Sequence, residues 1–430
     1  MFSIRELFKL EREAEPYIAV ENAKKKEEET TAAVFPEPGE PYGVKTPPSY
    51  ERAELEELEL TYISNAVVFN SINKIVQTIM SADHEIVAKS ARVQKFFDKF
   101  VEHIGESGGD ITWEELLETI FKHQCIYGQA FVENIFNKQG NRIVDWDILD
   151  PKKLDYAKDE RGYPVLDIYG KPVGYVIKIP PTIDVPEHLI KSNEKVPEKV
   201  FLRANEYFIP PERIAHIKLY TVGDGLYPVG LIEPIYKISL KKLNVEEALA
   251  NSIYRIGFPI RVVYYGDMNH EPTPEKMNEM LQKLRNLDYS QNMVLPHYAK
   301  LEISEPRHAE KMREHLEYFK EQEITGLGIP KPFATGLGED TNRATLQSQS
   351  ALFELTLKDI IKRTCTAIRK YMFRPICQLE GFREVPRIVW HNIGVDALNK
   401  KVERLVKLAK ADLLDVDDEL KEKIRKMENL

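Results

Sequence analysis

The sequence predicts a mixed α+β, helix-dominated fold, on three observations. Apolar residues recur at helical spacing over long stretches, above all 230–255, 307–327 and 344–373. Residues 129–136 and 143–149 alternate like paired strands across the turn Gln139-Gly140-Asn141. Hydrophobic residues make up 43% and aromatic residues 10% of the 430, enough for a large core. No apolar run approaches the roughly 20 residues that a membrane-crossing helix needs.

The first fifty residues hold Lys24-Lys25-Lys26-Glu27-Glu28-Glu29 and a proline-rich stretch over 35–48, with little to bury, so they read as a flexible arm. From 55 to 80 Leu58, Ile63, Val67, Ile72, Ile75 and Ile79 recur at helical spacing; a short strand over 84–88 and a helix over 92–104 follow. After Gly108-Gly109, Asp110 or Thr112 caps a helix from Trp113 that ends near Gly128, a glycine C-cap. Further strands are expected up to Ile179, then a proline-interrupted loop over 180–197 and a strand over 214–219. From Gly230 a long helix tolerates Pro234 in its first turn. A strand, helix, strand unit follows (259–265, 274–287, 292–303), then a helix over 307–327, a glycine-rich loop over 328–343 and a long helix over 344–373. The last elements are a strand over 387–390 and charged helices over 400–411 and 417–427.

Cys125, Cys365 and Cys377 stand far apart, in no spacing that binds zinc or builds a disulfide framework. The segment 1–9 is amphipathic and lacks the apolar core of an export signal, so folding in a cytoplasm is expected. The formal charge of -9 speaks against a static grip on DNA. There is no Walker A loop, HExxH, GxSxG or complete GxGxxG, so no enzyme, metal or cofactor is expected. Alternation puts Asp145 and Asp147 on one solvent face and Asp150 at a turn, which makes a metal cluster a poor reading. His391 beside Trp390 reads as structural. Glu310, Glu314, Glu317 and Glu321 fall on one helical stripe, opposite Met312, Leu316 and Phe319.

Several segments, in this order, resemble the phage portal family, the portal proteins of tailed double-stranded DNA viruses. A helix ending at Tyr127-Gly128 runs into the strand Gln129-Ala130-Phe131-Val132-Glu133, and Asp150-Pro151 follows the next strand. Gly225-Leu226-Tyr227-Pro228-Val229-Gly230-Leu231-Ile232-Glu233-Pro234 is similar to the opening of the first stem helix of that family. Ile329-Pro330, Gly336-Leu337-Gly338 and Asn342-Arg343-Ala344-Thr345 resemble its tunnel loop and the helix after it. The resemblance runs from Leu60 to the end of the chain.

The resemblance implies a portal-like subunit: a wing over 51–229 with 372–395, a first stem helix over 230–257, a clip over 258–303 and a second stem helix over 304–327. A tunnel loop over 328–343, a long tunnel helix over 344–371 and a short crown over 396–430 complete it. It implies a dodecameric ring at one capsid vertex, in the virion and, during assembly, in the host cytoplasm. The expected partners are double-stranded DNA, the terminase large subunit, major capsid and scaffolding proteins and a head-tail adaptor, with no membrane. Lys331, Phe333, Thr335, Glu339, Asp340, Asn342 and Arg343 would meet DNA in the tunnel loop, the four stripe glutamates would form the channel wall, and Lys276, Lys283 and Arg285 would dock the motor on the clip. In a ring, an acidic wall repels phosphates and leaves DNA free to slide. The same residues leave open a nucleic-acid-modifying enzyme with a divergent active site, or a cellular ring scaffold.

Overall fold

A computed structural model of the chain describes residues 53–106, 111–181, 185, 187–193, 196–223, 226–257, 260–266, 273–285, 299–304, 309–335 and 343–391. The expected arm, crown and C-terminal helices lie outside them. The chain divides into one unit made of Met1–Tyr236 and Ile324–Leu430 and a second made of Lys237–Glu323.

In the first unit, the helical stretch expected over 55–80 is two helices, α1 (Leu55–Ser64) and α2 (Ala66–Met80), because Asn65 between them is extended and accepts hydrogen bonds from the backbone of Val67 and Val68 as an N-cap. The break turns Ile63 out to solvent, whereas Ile72, Ile75 and Ile79 are buried as their spacing predicts. Strand β1 (His84–Val87) pairs antiparallel with β12 (Arg387–Trp390), joining segments from the two ends of the unit. Helix α3 (Ala91–Glu102) follows β1. The capping residue of α4 (Trp113–Tyr127) is Thr112, in a reciprocal capping box with Glu115, and Gly128 ends that helix in the left-handed region at φ 78°. Helix α4 exposes Glu114, Glu115 and Glu118 and is buried on two other sides: Phe121 and Cys125 join one core with α2, while Leu116, Leu117 and Ile120 join another with α3. Each such side chain stabilises the fold by about 1.5–3 kcal/mol.

Strands β2 (Gln129–Phe136) and β3 (Ile143–Leu149) have the bounds that alternation predicts, and β7 (Ile214–Lys218) completes an antiparallel sheet in the order β3-β2-β7. One face carries Ala130, Val132, Trp146, Ile148, Ala215 and Ile217 into the core shared with α4. The other face was expected to meet solvent and does not. A second sheet, β4 (Leu154–Tyr156), β5 (Tyr175–Lys178) and β6 (Glu206–Ile209), packs over it through Leu154, Tyr175, Ile177 and Ile209 against Phe131, Leu149 and Ile214. Asp145 and Asp147 do share a face, as alternation requires, but both are fully buried. Asp145 is held there by the backbone N–H groups of Gly105 and Trp146, which supply the partners a buried carboxylate needs. The loop expected over 180–197 contains a helix, α5 (Glu187–Asn193), whose Leu189 is part of the same core. Between β4 and β5, Asp159-Glu160-Arg161-Gly162-Tyr163-Pro164-Val165 repeats as Asp167-Ile168-Tyr169-Gly170-Lys171-Pro172-Val173, two turns each closed by the aspartate side chain on two backbone N–H groups.

Strands β8 (Tyr220–Thr221) and β9 (Pro228–Val229) pair before the chain leaves the first unit. Residues 233–235 form a tight 3-10 turn containing Pro234, so α6 (Tyr236–Gly257) starts six residues later than the glycine at 230 suggested. In the second unit, β10 (Ile260–Tyr265) pairs antiparallel with β11 (Ala299–Ser304), with α7 (Pro274–Arg285) between them in the chain, as the strand, helix, strand expectation has it. Helix α8 (Ala309–Leu327) leads out of the second unit. The expected glycine-rich loop then holds a short helix, α9 (Lys331–Thr335), before α10 (Arg343–Ile368), a π-helical turn (Arg369–Phe373) and α11 (Arg374–Leu379).

Candidate functional site

The acidic stripe lies on α8. Glu314, Glu317 and Glu321 are exposed, and Leu316 and Phe319 on the other side are half-buried, so the helical spacing sorts the described residues as expected. The side chains of Glu310 and Met312 lie outside the described residues. Glu317 meets a local partner, Lys320 at 3.9 Å. A fifth glutamate on this helix behaves differently. Glu323 is fully buried, accepts a hydrogen bond from Ser239 at 2.8 Å and pairs with Lys242 at 3.0 Å, both on α6. The two helices are therefore fastened by a buried ion pair, an arrangement that is costly to desolvate and more costly to break. Its signal was in the sequence: Leu316, Phe319, Glu323 and Leu327 follow the helical spacing of the core-facing line, and a carboxylate on that line needs a partner.

On α7, Lys276 is exposed, as are Met277 and Leu281; Lys283 and Arg285 are on the same helix, with side chains outside the described residues. The expected tunnel-loop residues divide. Gly328, at φ 67°, ends α8. Pro330 accepts from the backbone N–H groups of Phe333 and Ala334, which starts α9. Ala334 is buried, and its carbonyl accepts a 2.6 Å hydrogen bond from the Asn70 side chain on α2. The Phe333 ring stacks on Phe353 with centroids 5.9 Å apart, so this side chain belongs to the core of its own subunit. Lys331 is exposed and Thr335 partly so. Glu339, Asp340 and Asn342 lie outside the described residues, and Arg343 opens α10 with its side chain outside them.

Two of the segments that carried the resemblance meet in space. Gly128, at the end of α4, lies against Gly230 so closely that a Cβ on Gly128 would stand 2.6 Å from the Gly230 nitrogen, and one on Gly230 would stand 2.7 Å from the Gly128 nitrogen. The contact is closed by hydrogen bonds from the Leu219 N–H to the Gly128 carbonyl and from the Leu231 N–H to the Cys125 carbonyl, each 2.8 Å. Glycine is required at both positions, for the left-handed turn at one and for backbone approach at both.

Buried titratable groups collect between the two sheets. Glu133 is buried on β2, with His188 of α5 at 3.8 Å and Arg213 at 4.0 Å. Burial, helped by the neighbouring Arg213 charge, pushes the His188 imidazole down to about 4. His216 sits between Tyr175, Tyr156 and Gln129, and burial holds it well below its usual range. Desolvation pushes the Cys125 and Cys365 thiols up to about 12, which leaves them unreactive. His391, just after β12, pairs with Glu85 of β1 at 3.0 Å, both side chains exposed. Among the described residues no group of His, Cys, Asp and Glu side chains is arranged to hold a metal ion. No described helix is long and apolar enough to cross a membrane.

Comparison with known proteins follows the fold. The structure is similar to a chain in the neck of an empty gene transfer agent particle computed with C6 symmetry, with a TM-score of 0.60 at 14% identity over 88% of this chain and 94% of that one. It is similar to a chain in the virion of the native gene transfer agent particle, with a TM-score of 0.59 at 13% identity over 87% and 93%. For the native neck computed with C12 symmetry the TM-score is 0.54 at 14% identity over 86% and 93%. These likenesses establish a shared fold. No curated protein sequence matches the chain. The family model described as the portal protein of Mu bacteriophage matches residues 59–425, which takes in both units and each segment in which the resemblance was found, and the chain therefore belongs to that portal protein family.

Proposed function

We propose that the chain is the subunit of a closed ring at one vertex of a virus capsid, with twelve copies around a channel through which double-stranded DNA is packaged and ejected. The observation that carries this reading is the family match over 59–425, which extends through the whole stem and clip segment. Similarity to chains of particle necks computed with C6 and C12 symmetry supports a cyclic assembly. Head-to-tail contacts whose rotation closes give such rings. In this reading 51–229 with 372–395 is the wing, α6 and α8 are the stem, 344–371 is the long tunnel helix, and 258–303 is the clip, where Lys276, Lys283 and Arg285 meet the terminase large subunit. The tunnel loop narrows to 336–343, because Phe333 and Ala334 are packed into the core. Capsid, scaffolding and adaptor proteins contact the ring from outside.

The mechanism is passive. The subunit supplies no catalytic step; the ring positions the DNA and a separate ATPase moves it. Glu310, Glu314, Glu317 and Glu321 line the lumen as stacked acidic rings, and repulsion of phosphates keeps the DNA from sticking. The buried Glu323–Lys242 pair keeps the two stem helices in register. Native mass spectrometry and negative-stain imaging of the purified chain test the assembly. Rings with an axial hole wide enough for a duplex are expected. A monomer or dimer at micromolar concentration across a range of salt would overturn the reading.

A further inference from the structure

The helix that runs from α10 through the π-helical turn into α11 carries a row of exposed cations in a chain of net charge -9. Between 358 and 374 the exposed residues are Lys358, Lys362, Arg363, Arg369, Lys370 and Arg374, with Thr366 and Tyr371. Lys358, Lys362, Thr366, Lys370 and Arg374 recur every four residues. At about 100° per residue a regular helix would carry the last of these about 160° away from the first. The turn Arg369–Phe373 has more residues per turn and removes roughly half of that rotation, so the cations stay on one stripe.

Few carboxylates answer this charge. Asp359 pairs with Arg363 at 2.7 Å and Glu354 with Lys358 at 3.8 Å. Glu384 lies near Arg369, but its oxygens are taken by the backbone N–H groups of Lys89 and Ser90. Among the described residues, Lys362, Arg369, Lys370 and Arg374 form no ion pair. Two like-charged pairs at i,i+4, Lys358–Lys362 and Lys370–Arg374, each destabilise the helix slightly, a cost that a bound anion removes.

We infer that this stripe is a binding surface for the phosphate backbone of duplex DNA, separate from the acidic helix α8. The stripe is about 24 Å long at 1.5 Å per residue, a length that faces about seven phosphates of one strand. Between 358 and 374 its exposed side chains are cations with Thr366 and Tyr371, while Leu355 stands exposed one turn before; the run of cations over this length is what favours a phosphate backbone over an acidic peptide. Backbone contacts alone carry no sequence information, so binding is independent of sequence and steeply dependent on salt.

The test is binding of the purified full-length chain to a fluorescent duplex, offered as a linear fragment, which can enter a closed ring, and as a covalently closed minicircle, which cannot. The parent is expected to bind at about 50 mM salt, with an affinity that falls linearly on a log–log plot as salt rises. The variant Lys362→Gln/Arg369→Gln/Lys370→Gln/Arg374→Gln is expected to bind at least about tenfold more weakly, with the salt slope reduced by about 3. Lys362→Arg/Lys370→Arg keeps the charge and should keep the binding. No binding by the parent at low salt, or equal binding by the glutamine variant, overturns the inference. If the parent retains a poly-glutamate peptide but neither DNA, the stripe belongs to a protein partner and the inference also fails. Ring formation is read separately by native mass, so failure here and failure of the portal reading are distinct results.

Discussion

Substituting alanine for Gly128 tests whether the backbone contact with Gly230 holds the first unit together. Two penalties add at this site. Gly128 sits at φ 78°, where a Cβ costs about 1–2 kcal/mol. The new Cβ would also stand 2.6 Å from the Gly230 nitrogen and the Val229 carbonyl carbon, backbone atoms that cannot swing aside. Relieving that overlap costs about 1–3 kcal/mol, and moving residues 229–231 loses the Leu231–Cys125 hydrogen bond, about 1 kcal/mol more. The expected loss is about 3–6 kcal/mol, a large part of the 5–15 kcal/mol typical of a domain. Two controls separate the penalties. Gly140 has φ 71° and open space within 4 Å of where a Cβ would stand, so Gly140→Ala should show only the dihedral cost of about 1–2 kcal/mol. Gly230 is outside the left-handed region, so Gly230→Ala should show only the clash and the lost bond, about 2–4 kcal/mol. Urea unfolding followed by the fluorescence of Trp113, Trp146 and Trp390, which all lie in this unit, measures each loss. If Gly128→Ala costs no more than Gly140→Ala, the close approach does not constrain the fold and the reasoning is refuted.

Removing the buried carboxylate between α6 and α8, Glu323→Ala, takes from Lys242 its nearer acidic partner while Glu246 stays at 3.8 Å, and should cost about 3 kcal/mol. Faster amide exchange in α6 and α8 would register it, Lys242→Met/Glu323→Leu should restore most of the protection, and unchanged exchange in Glu323→Ala would speak against a fastening role. The His188 imidazole, lowered from 6.5 to about 4, is held neutral in the fold, while the unfolded chain takes up a proton below about 6.5. Its contribution to stability is therefore complete above pH 6.5 and is lost as the pH falls towards 4. His188→Gln should flatten the pH dependence of urea unfolding in that window, and an unaltered profile would remove His188 from the account.

Local signals carried most of the secondary structure. The bounds of β2 and β3 were legible because alternation and a glycine turn act within a few residues, and a cap at Asp110 or Thr112 marked the start of α4 in the same way, the structure choosing Thr112. The break at Asn65 was equally local and was missed, because the apolar spacing on either side of it is nearly continuous. The burial of Asp145 and Asp147 was not legible. Alternation says which residues share a face and is silent about what covers it: Gly105, beyond α3, meets Asp145, and Phe131, Leu149 and Ile214 of the same sheet are covered by short strands and a helix over 154–209 with weak signals of their own. Among the candidate site residues, the exposed positions of Glu314, Glu317 and Glu321 followed from helical spacing. The inward turn of Phe333 did not, since it depends on α2 and α10 arriving beside a segment rich in glycine and proline.

The pairing of β1 with β12 has a consequence for the order in which the molecule is made. His84 finds its partner at Trp390 and Val87 at Arg387, so some three hundred residues separate the two strands of one ribbon. The second unit, Lys237–Glu323, is contiguous and its described strands pair with each other, so it can fold as soon as it is synthesised. The first unit has to wait. Its cores recruit Ile324, Leu357, Ile360, Phe373 and Ile388 from beyond the insertion, so its early residues carry unfilled apolar surface until the late ones emerge. Non-local closure of this kind is slow and leaves hydrophobic surface open while it proceeds. A chain truncated before β12 therefore cannot complete the first unit, whatever becomes of the second.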